Sequence, residues 1–472
     1  MSMTRRQFFA RSGVAAAGTL LGPGLFASPL VGQALASTIG DRWLVVLFLD
    51  GGNDGINTVT PVSDGSHSHR ADYDLNRGTG SGGINLSIAE LAGTLVGNDP
   101  STGAQLALHP GLAGLKALYD QGWLGVVQGC GYPAYSLSHE LARMTWQTGN
   151  PQGESTGWVG RHLASSSGGY LPTDIPGVTI GKRVAPELRQ SATSVLVVDQ
   201  LNSFGFPYDD LSAAAGDIAA KRLAFNRLYS SWAATDLQDT KRFLGESGAA
   251  TLASSEIYPQ LHDLYLANRP GWSEQYAALD RSTARGLREI AKIIHGNQQG
   301  VAGVDARFFQ LTNGGYDTHS NQGGANVDGQ HYDLHREVGD SLKVFYDDLA
   351  DMGLADKVLT LVWSEFSRRI PQNQSGTDHG SQGPMFVIGE AVNGGIYGNH
   401  PNLAALDEQE NTVYSQVPGL FRSTDFRDVY GTILKHWLGM SGELIASEML
   451  VPDVGHPGGY WTVPNFDMGF LP

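Results

Sequence analysis

The chain has 472 residues, 41% hydrophobic, 17% charged and 9% aromatic, which is the composition of a globular protein rather than a disordered or coiled-coil one. Its 31 Lys and Arg against 47 Asp and Glu leave a net charge of −16, and no basic block stands out, which argues against nucleic acid and anionic membrane surfaces as partners. The single cysteine, Cys130, excludes an intrachain disulfide and a cysteine-built metal site, while 62 glycines announce many tight turns and close backbone approaches.

Residues 1–36 read as an export signal. Thr4-Arg5-Arg6-Gln7-Phe8-Phe9 is a twin-arginine pattern, no charge falls between Arg11 and Asp41, and Ala34-Leu35-Ala36 offers a small-x-small cleavage site. Pro23, Pro29 and several glycines make this stretch a poor membrane span. The expectation is passage through the twin-arginine export machinery, cleavage after Ala36, no integral span afterwards, and a periplasmic or extracellular location.

From residue 41 onward, short apolar runs alternate with helical patterns. Trp43–Leu49 is continuously apolar and ends at Asp50, as a strand buried on both faces of a parallel sheet would be. Similar runs are Leu124–Val127, Val195–Val198, Phe308–Leu311, Val358–Val362 and Met385–Ile388. Leu112, Leu115 and Leu118 follow His109-Pro110, where proline suits a helix start. From Leu211 to His295 the pattern is mostly helical and lacks strand runs, so about 205–297 reads as a helical insertion. Leu334, Val338, Leu342, Phe345 and Leu349 then mark an amphipathic helix ending near Gly353, and Val429, Ile433 and Trp437 repeat its spacing. The alternation predicts an α/β protein: a three-layer αβα sandwich with a mostly parallel, doubly wound sheet, spanning 41–472.

In such sheets, sites form beyond the carboxyl ends of the strands. Five polar clusters fall there: Asp50-Gly51-Gly52-Asn53-Asp54, Ser136-Leu137-Ser138-His139-Glu140, Asp317-Thr318-His319, Ser364-Glu365-Phe366 and Thr377-Asp378-His379-Gly380. Any one of them alone reads first as a turn held by a side-chain cap. Together, carboxylates and imidazoles without thiolates suit one or two divalent ions such as Zn, Mn, Mg or Ca. The ligand candidates are Asp50, Asp317, Glu365, Asp378 and His379, with Asn53 and His319 beside them. Arg368 and Arg369 suit either a substrate anion or a salt bridge. His67, His69, His331, His335 and His400 read as solvated, and Asp347, Asp348 and Asp351 as the wet face of their helix.

The motifs Leu47-Phe48-Leu49-Asp50-Gly51-Gly52-Asn53-Asp54-Gly55, Gly125-Val126-Val127-Gln128-Gly129, Trp146-Gln147-Thr148-Gly149, Tyr316-Asp317-Thr318-His319, Ser364-Glu365-Phe366-Ser367-Arg368-Arg369 and Gly376-Thr377-Asp378-His379-Gly380 resemble the bacterial domain-of-unknown-function family 1501. That family in turn resembles the alkaline phosphatase/sulfatase superfamily. The resemblance implies a metal-dependent hydrolase of phosphate or sulfate esters, with a small anionic ester as substrate. It casts Asp50 as the first-strand metal aspartate, Asp317 as the aspartate of the Asp-x-x-x-His pair, Glu365 in place of the Asp of a Ser-Asp-His turn, and His379 as the last metal histidine. The nucleophile it implies opens the helix after the second strand, at Ser138, or at His139 if the register shifts by one. Three positions depart from the pattern: Phe366 stands where a metal histidine is expected, His319 comes two residues after Asp317 rather than four, and Cys130-Gly131-Tyr132-Pro133 lacks the spacing of a formylglycine sulfatase. The alternative is a non-catalytic periplasmic binding or assembly protein that keeps the fold around an eroded site.

Overall fold

A computed structural model describes residues 41–132, 135–151, 154–165, 170, 173–190, 192–205, 215–234, 239–324, 329–404, 423–450, 461 and 463–472. The twin-arginine segment lies outside the described residues. Among the described residues the main sheet has nine strands. Eight run in the order β11 (Gly395–Tyr397), β5 (Leu124–Gly131), β10 (Gly383–Ile388), β9 (Val358–Trp363), β1 (Trp43–Asp50), β8 (Phe308–Gly314), β6 (Gly177–Ile180), β7 (Val195–Val198), and β12 (Thr424–Asp425) pairs with β5. Only β10 runs antiparallel to its neighbours; the other pairings are parallel. Each apolar run expected to be a strand is one. No apolar run marks the short strands β6, β11 and β12, nor a separate three-stranded sheet of β2 (Val59–Pro61), β4 (Gln105–Leu108) and β3 (Leu95–Asn98).

β1 shows why the sheet needs cover on both sides. Side chains alternate across a strand, so Trp43, Val45, Leu47 and Leu49 enter one core while Leu44, Val46 and Phe48 enter the other. The first core is closed by α1 (Ala113–Asp120), α7 (Ser282–Gln298) and α8 (Gln330–Asp351), whose Val338, Leu342, Phe345 and Leu349 form the expected stripe. The second is closed by α2 (His139–Thr148), α3 (Trp158–Ala164) and α9 (Phe426–Thr432), with Trp146, Trp158, Phe426 and Tyr430 stacked together. Between β7 and β8 the chain forms α4 (Ala215–Ala233), α5 (Asp239–Asn268), α6 (Pro270–Leu279) and α7. No helix among the described residues is long and apolar enough to cross a membrane.

Two groups of polar residues lie deeper than their sequence neighbourhood suggested. Asp348 belongs to no wet face: its carboxylate is buried and accepts hydrogen bonds from Tyr265 (2.6 Å), Tyr276 (3.3 Å) and Arg269 (2.9 Å), because α5 and α6 fold over that side of α8. His69, His331, His335 and His400 are likewise buried, and only His67 of that set is exposed.

Candidate metal centre

Parallel pairing of β8, β1 and β9 brings their carboxyl ends, and the residues that follow, to one edge of the sheet. Because β10 runs the other way, the residues leading into it, Asp378 and His379, return to that same edge. There Arg368 and His379 form an isolated antiparallel bridge. The loop after β1 can pass under this edge only because it carries glycine twice. Gly51 (φ +126°) and Gly52 (φ +77°) adopt backbone conformations that L side chains rarely take, and a Cβ on Gly51 would stand 2.4 Å from the Asp317 nitrogen.

Around Asp317 stand three imidazoles with a common design. Nδ1 of His139, the first residue of α2, lies 2.8 Å from a Glu365 carboxylate oxygen. Nδ1 of His379 lies 2.7 Å from the Leu137 carbonyl oxygen, and Nδ1 of His319 lies 3.1 Å from an Asp378 carboxylate oxygen. Acceptors hold all three Nδ1 atoms, so each neutral ring carries its proton there and keeps its Nε2 lone pair free. All three Nε2 atoms face Asp317, at 3.6 Å from Oδ2 for His139 and at 3.3 and 3.1 Å from Oδ1 for His379 and His319. The Nε2 atoms of His319 and His379 are themselves 3.0 Å apart. Two lone pairs at that distance repel unless a proton or a cation lies between them. Ligand atoms of His139, Asp317 and His379 all fall within 4.8 Å of one another, as a metal ion requires. Imidazoles oriented by a carboxylate or carbonyl on the far nitrogen are the usual surroundings of a bound metal. The donor set fits a divalent ion such as zinc or manganese.

The other predicted residues take different places. Glu365 is fully buried and its oxygens are in use, by the Gly51 N–H (3.1 Å), the Ser364 hydroxyl (3.1 Å) and His139. Asp50 meets Arg143, whose Nη2 is 3.1 Å from Asp50 Oδ1 and whose Nε is 3.4 Å from Glu365 Oε1. Asp378 orients His319 and is not among the three residues that converge. Asn53 turns away, its amide oxygen 2.9 Å from His331 Nε2 and its nitrogen donating to Thr58 (2.8 Å). Arg368 is not placed to grip a substrate. It is buried, and its guanidinium donates to the carbonyl oxygens of Gly51, Gly52 (2.6 Å), Thr377 (2.9 Å) and Tyr316 (3.1 Å) and to Asp317 (2.7 Å). It therefore ties the loop after β1 to Asp317. Ser138 precedes α2 without a side-chain capping bond, and its hydroxyl joins none of the cluster's contacts.

The electrostatics follow from these contacts. Burial is the largest influence on Asp317 and acts upward, but the Arg368 hydrogen bond and charge, with His319 and His139, outweigh it and hold the carboxyl below its ordinary range. Glu365 behaves alike: His139 and backbone N–H groups overcome burial. Burial pushes Asp50 up and Arg143 only partly offsets it. Both carboxylates on which His139 depends therefore favour the charged form.

Sequence reasoning missed Arg143 altogether, although its spacing of four from His139 puts both on one face of α2. It also missed the support beneath the site. Asp54 caps the helix Gly55–Thr58 and is fully buried against Arg77 (2.6 Å) and the Gln322 amide (2.6 Å). His109, His331 and His335 pack with ring centroids 4.1 to 5.1 Å apart, and burial pushes all three below the ordinary imidazole range, so they are neutral. An Asp inside a Gly-rich motif and a helical His-x-x-x-His were the available signals.

Residues 41–421 match the family of proteins of unknown function DUF1501, and the chain belongs to that family. No curated protein matches the sequence at a significant level. Among solved structures the chain is similar to a sulfatase, PsFucS1 from Pseudoalteromonas sp., at 11% identity and a TM-score of 0.32, covering 88% of this chain and 72% of that one. It is also similar to a quadruple mutant of the alkaline phosphatase PafA, at 11% identity and a TM-score of 0.28, covering 70% of this chain and 64% of that one.

Proposed function

We propose that this member of the DUF1501 family is an exported, metal-dependent hydrolase of phosphate or sulfate esters. One observation carries the reading: three imidazoles, each anchored through Nδ1, turn their Nε2 lone pairs onto the half-exposed carboxylate of Asp317. His139, Asp317, His379 and His319 would hold a divalent ion, which would supply Lewis-acid polarisation of an ester oxygen and a lowered pKa for water. The chain's own residues do the rest. Glu365, Asp378 and the Leu137 carbonyl fix the imidazole tautomers, and Arg368 fixes Asp317 and the loop after β1. The Phe366 ring, with centroids 4.8 Å from His139 and 4.6 Å from His379, shields the imidazoles from one side. The motif resemblance supports a small anionic ester as substrate, and Thr4–Ala36 supports twin-arginine export to the periplasm or beyond.

The test is a metal and activity measurement on the folded protein. Stoichiometric zinc or manganese, a melting temperature lowered by chelator, and metal-dependent cleavage of aryl phosphates or aryl sulfates are expected. Metal-loaded protein that turns over none of these esters overturns the catalytic reading. It favours the second one, a binding protein with an eroded site, which Phe366 at a metal-histidine position and the absence of Ser138 from the cluster already support.

A further inference from the structure

The carboxylates that the sequence offers to a metal divide into two groups in the folded chain. Asp317 faces imidazole lone pairs. Asp50 and Glu365 face a guanidinium. Resting on the metal reading above, we propose that the centre holds one metal ion per chain, and that Arg143 supplies its second positive charge by occupying the position between Asp50 and Glu365 where another ion would bind.

Three observations support this. First, Arg143 meets both acids at once, with Nη2 3.1 Å from Asp50 and Nε 3.4 Å from Glu365. A guanidinium cannot lose its proton at ordinary pH, so this charge is permanent. Second, Glu365 has no exposed surface and shares its oxygens with Gly51, Ser364 and His139, and Arg143 is the cation that takes up the accepting capacity they leave, so an ion would have to displace it. Third, the side chain after Glu365 is Phe366, an apolar ring that cannot ligate; it is buried against His139 and His379. A Cβ on Gly52 would fall 2.1 Å from that ring, so the loop and the ring fill this side together. Among the described residues, the second position thus has two acids, a resident cation and, after Glu365, a ring that cannot ligate. The advantage of the arrangement is a charge that needs no metal supply. Arg143 also lies one helical turn from His139, so a single rigid helix sets the spacing between fixed cation and metal ligand.

The experiment counts metal ions in the purified full chain by mass spectrometry, after saturation with zinc or manganese and removal of loosely held ion. The wild type should hold one ion, and Asp317→Asn should hold none. Arg143→Ala frees Asp50 and Glu365 and should raise the count from one to two, whereas Arg143→Lys keeps the charge and should leave it at one. Circular dichroism reports whether each variant folds. If Arg143→Ala does not fold, Arg143→Gln, which removes the charge and keeps most of the bulk, takes its place with the same expected count of two. Two ions in the wild type, or one in folded Arg143→Ala, overturn the role of Arg143 and leave the metal reading intact. No ion in folded wild type overturns the metal reading itself.

Discussion

Glu187, between β6 and β7, lies in a short turn of 3₁₀ helix at Pro186–Leu188, fully buried, and neither carboxylate oxygen has a hydrogen-bond partner among the described residues. Burial, offset only in part by its own backbone N–H, pushes its pKa up from 4.5 to about 7. In the unfolded chain the proton leaves near pH 4.5; in the folded chain it stays until about pH 7. Between these values the folded state binds more protons, so stability falls as pH rises through the window. At about 1.4 kcal/mol per pKa unit, the full loss is about 3 kcal/mol above pH 7. Glu187→Gln keeps the shape and removes the ionisation, so the variant should match the wild type near pH 4.5 and exceed it by about 3 kcal/mol at pH 8. With an unfolding entropy of about 2 cal/mol/K per residue over roughly 400 folded residues, this is a melting temperature about 3–4 °C higher. Scanning calorimetry of both proteins at pH 4.5 and pH 8 measures the difference. A variant equally destabilised at both pH values would refute the reasoning, because it would mean that Glu187 is ionised and paired.

Three further substitutions probe the framework of the site. Arg77→Met leaves Asp54 buried without its cation, and urea unfolding should show a loss of about 3–5 kcal/mol. Gly52→Ala places a methyl group against the Phe366 ring at a positive φ; the cost should be about 2 kcal/mol by thermal unfolding, and smaller in a Phe366→Ala background that removes the collision. Arg368→Lys keeps the charge but cannot span the Gly52, Thr377 and Tyr316 carbonyls together with Asp317. It should cost about 3 kcal/mol of stability, and calorimetric titration should show weaker zinc binding as Asp317 loses its anchor.

The amino-acid sequence by itself determined the layers. Continuous apolar runs such as Trp43–Leu49 can be satisfied only between two helical faces, and the four-residue stripe of α8 covers one of them, because burial of apolar surface follows from local periodicity alone. The sequence also placed Asp50, Asp317 and Glu365 at one sheet edge, since residues after parallel strands must lie there, whereas His379 reaches that edge because β10, which it precedes, runs antiparallel. Short β6 and the small β2–β4–β3 sheet escaped notice because their three or four residues include glycine, proline or polar residues, whereas the equally short Val195–Val198 is apolar throughout. The division of labour within the cluster was decided by tertiary structure alone. Whether an aspartate ligates, orients an imidazole or neutralises an arginine depends on which side chain stands within about 3 Å of it, and those partners come from distant parts of the chain. Arg143 claims Asp50, Asp378 turns to His319, and Arg368, which as a sequence could bind an anion, is consumed by the carbonyls of the loops that frame the site. Burial of His331, His335 and Asp348 was decided in the same way, by helices and loops that close over them from elsewhere in the sequence.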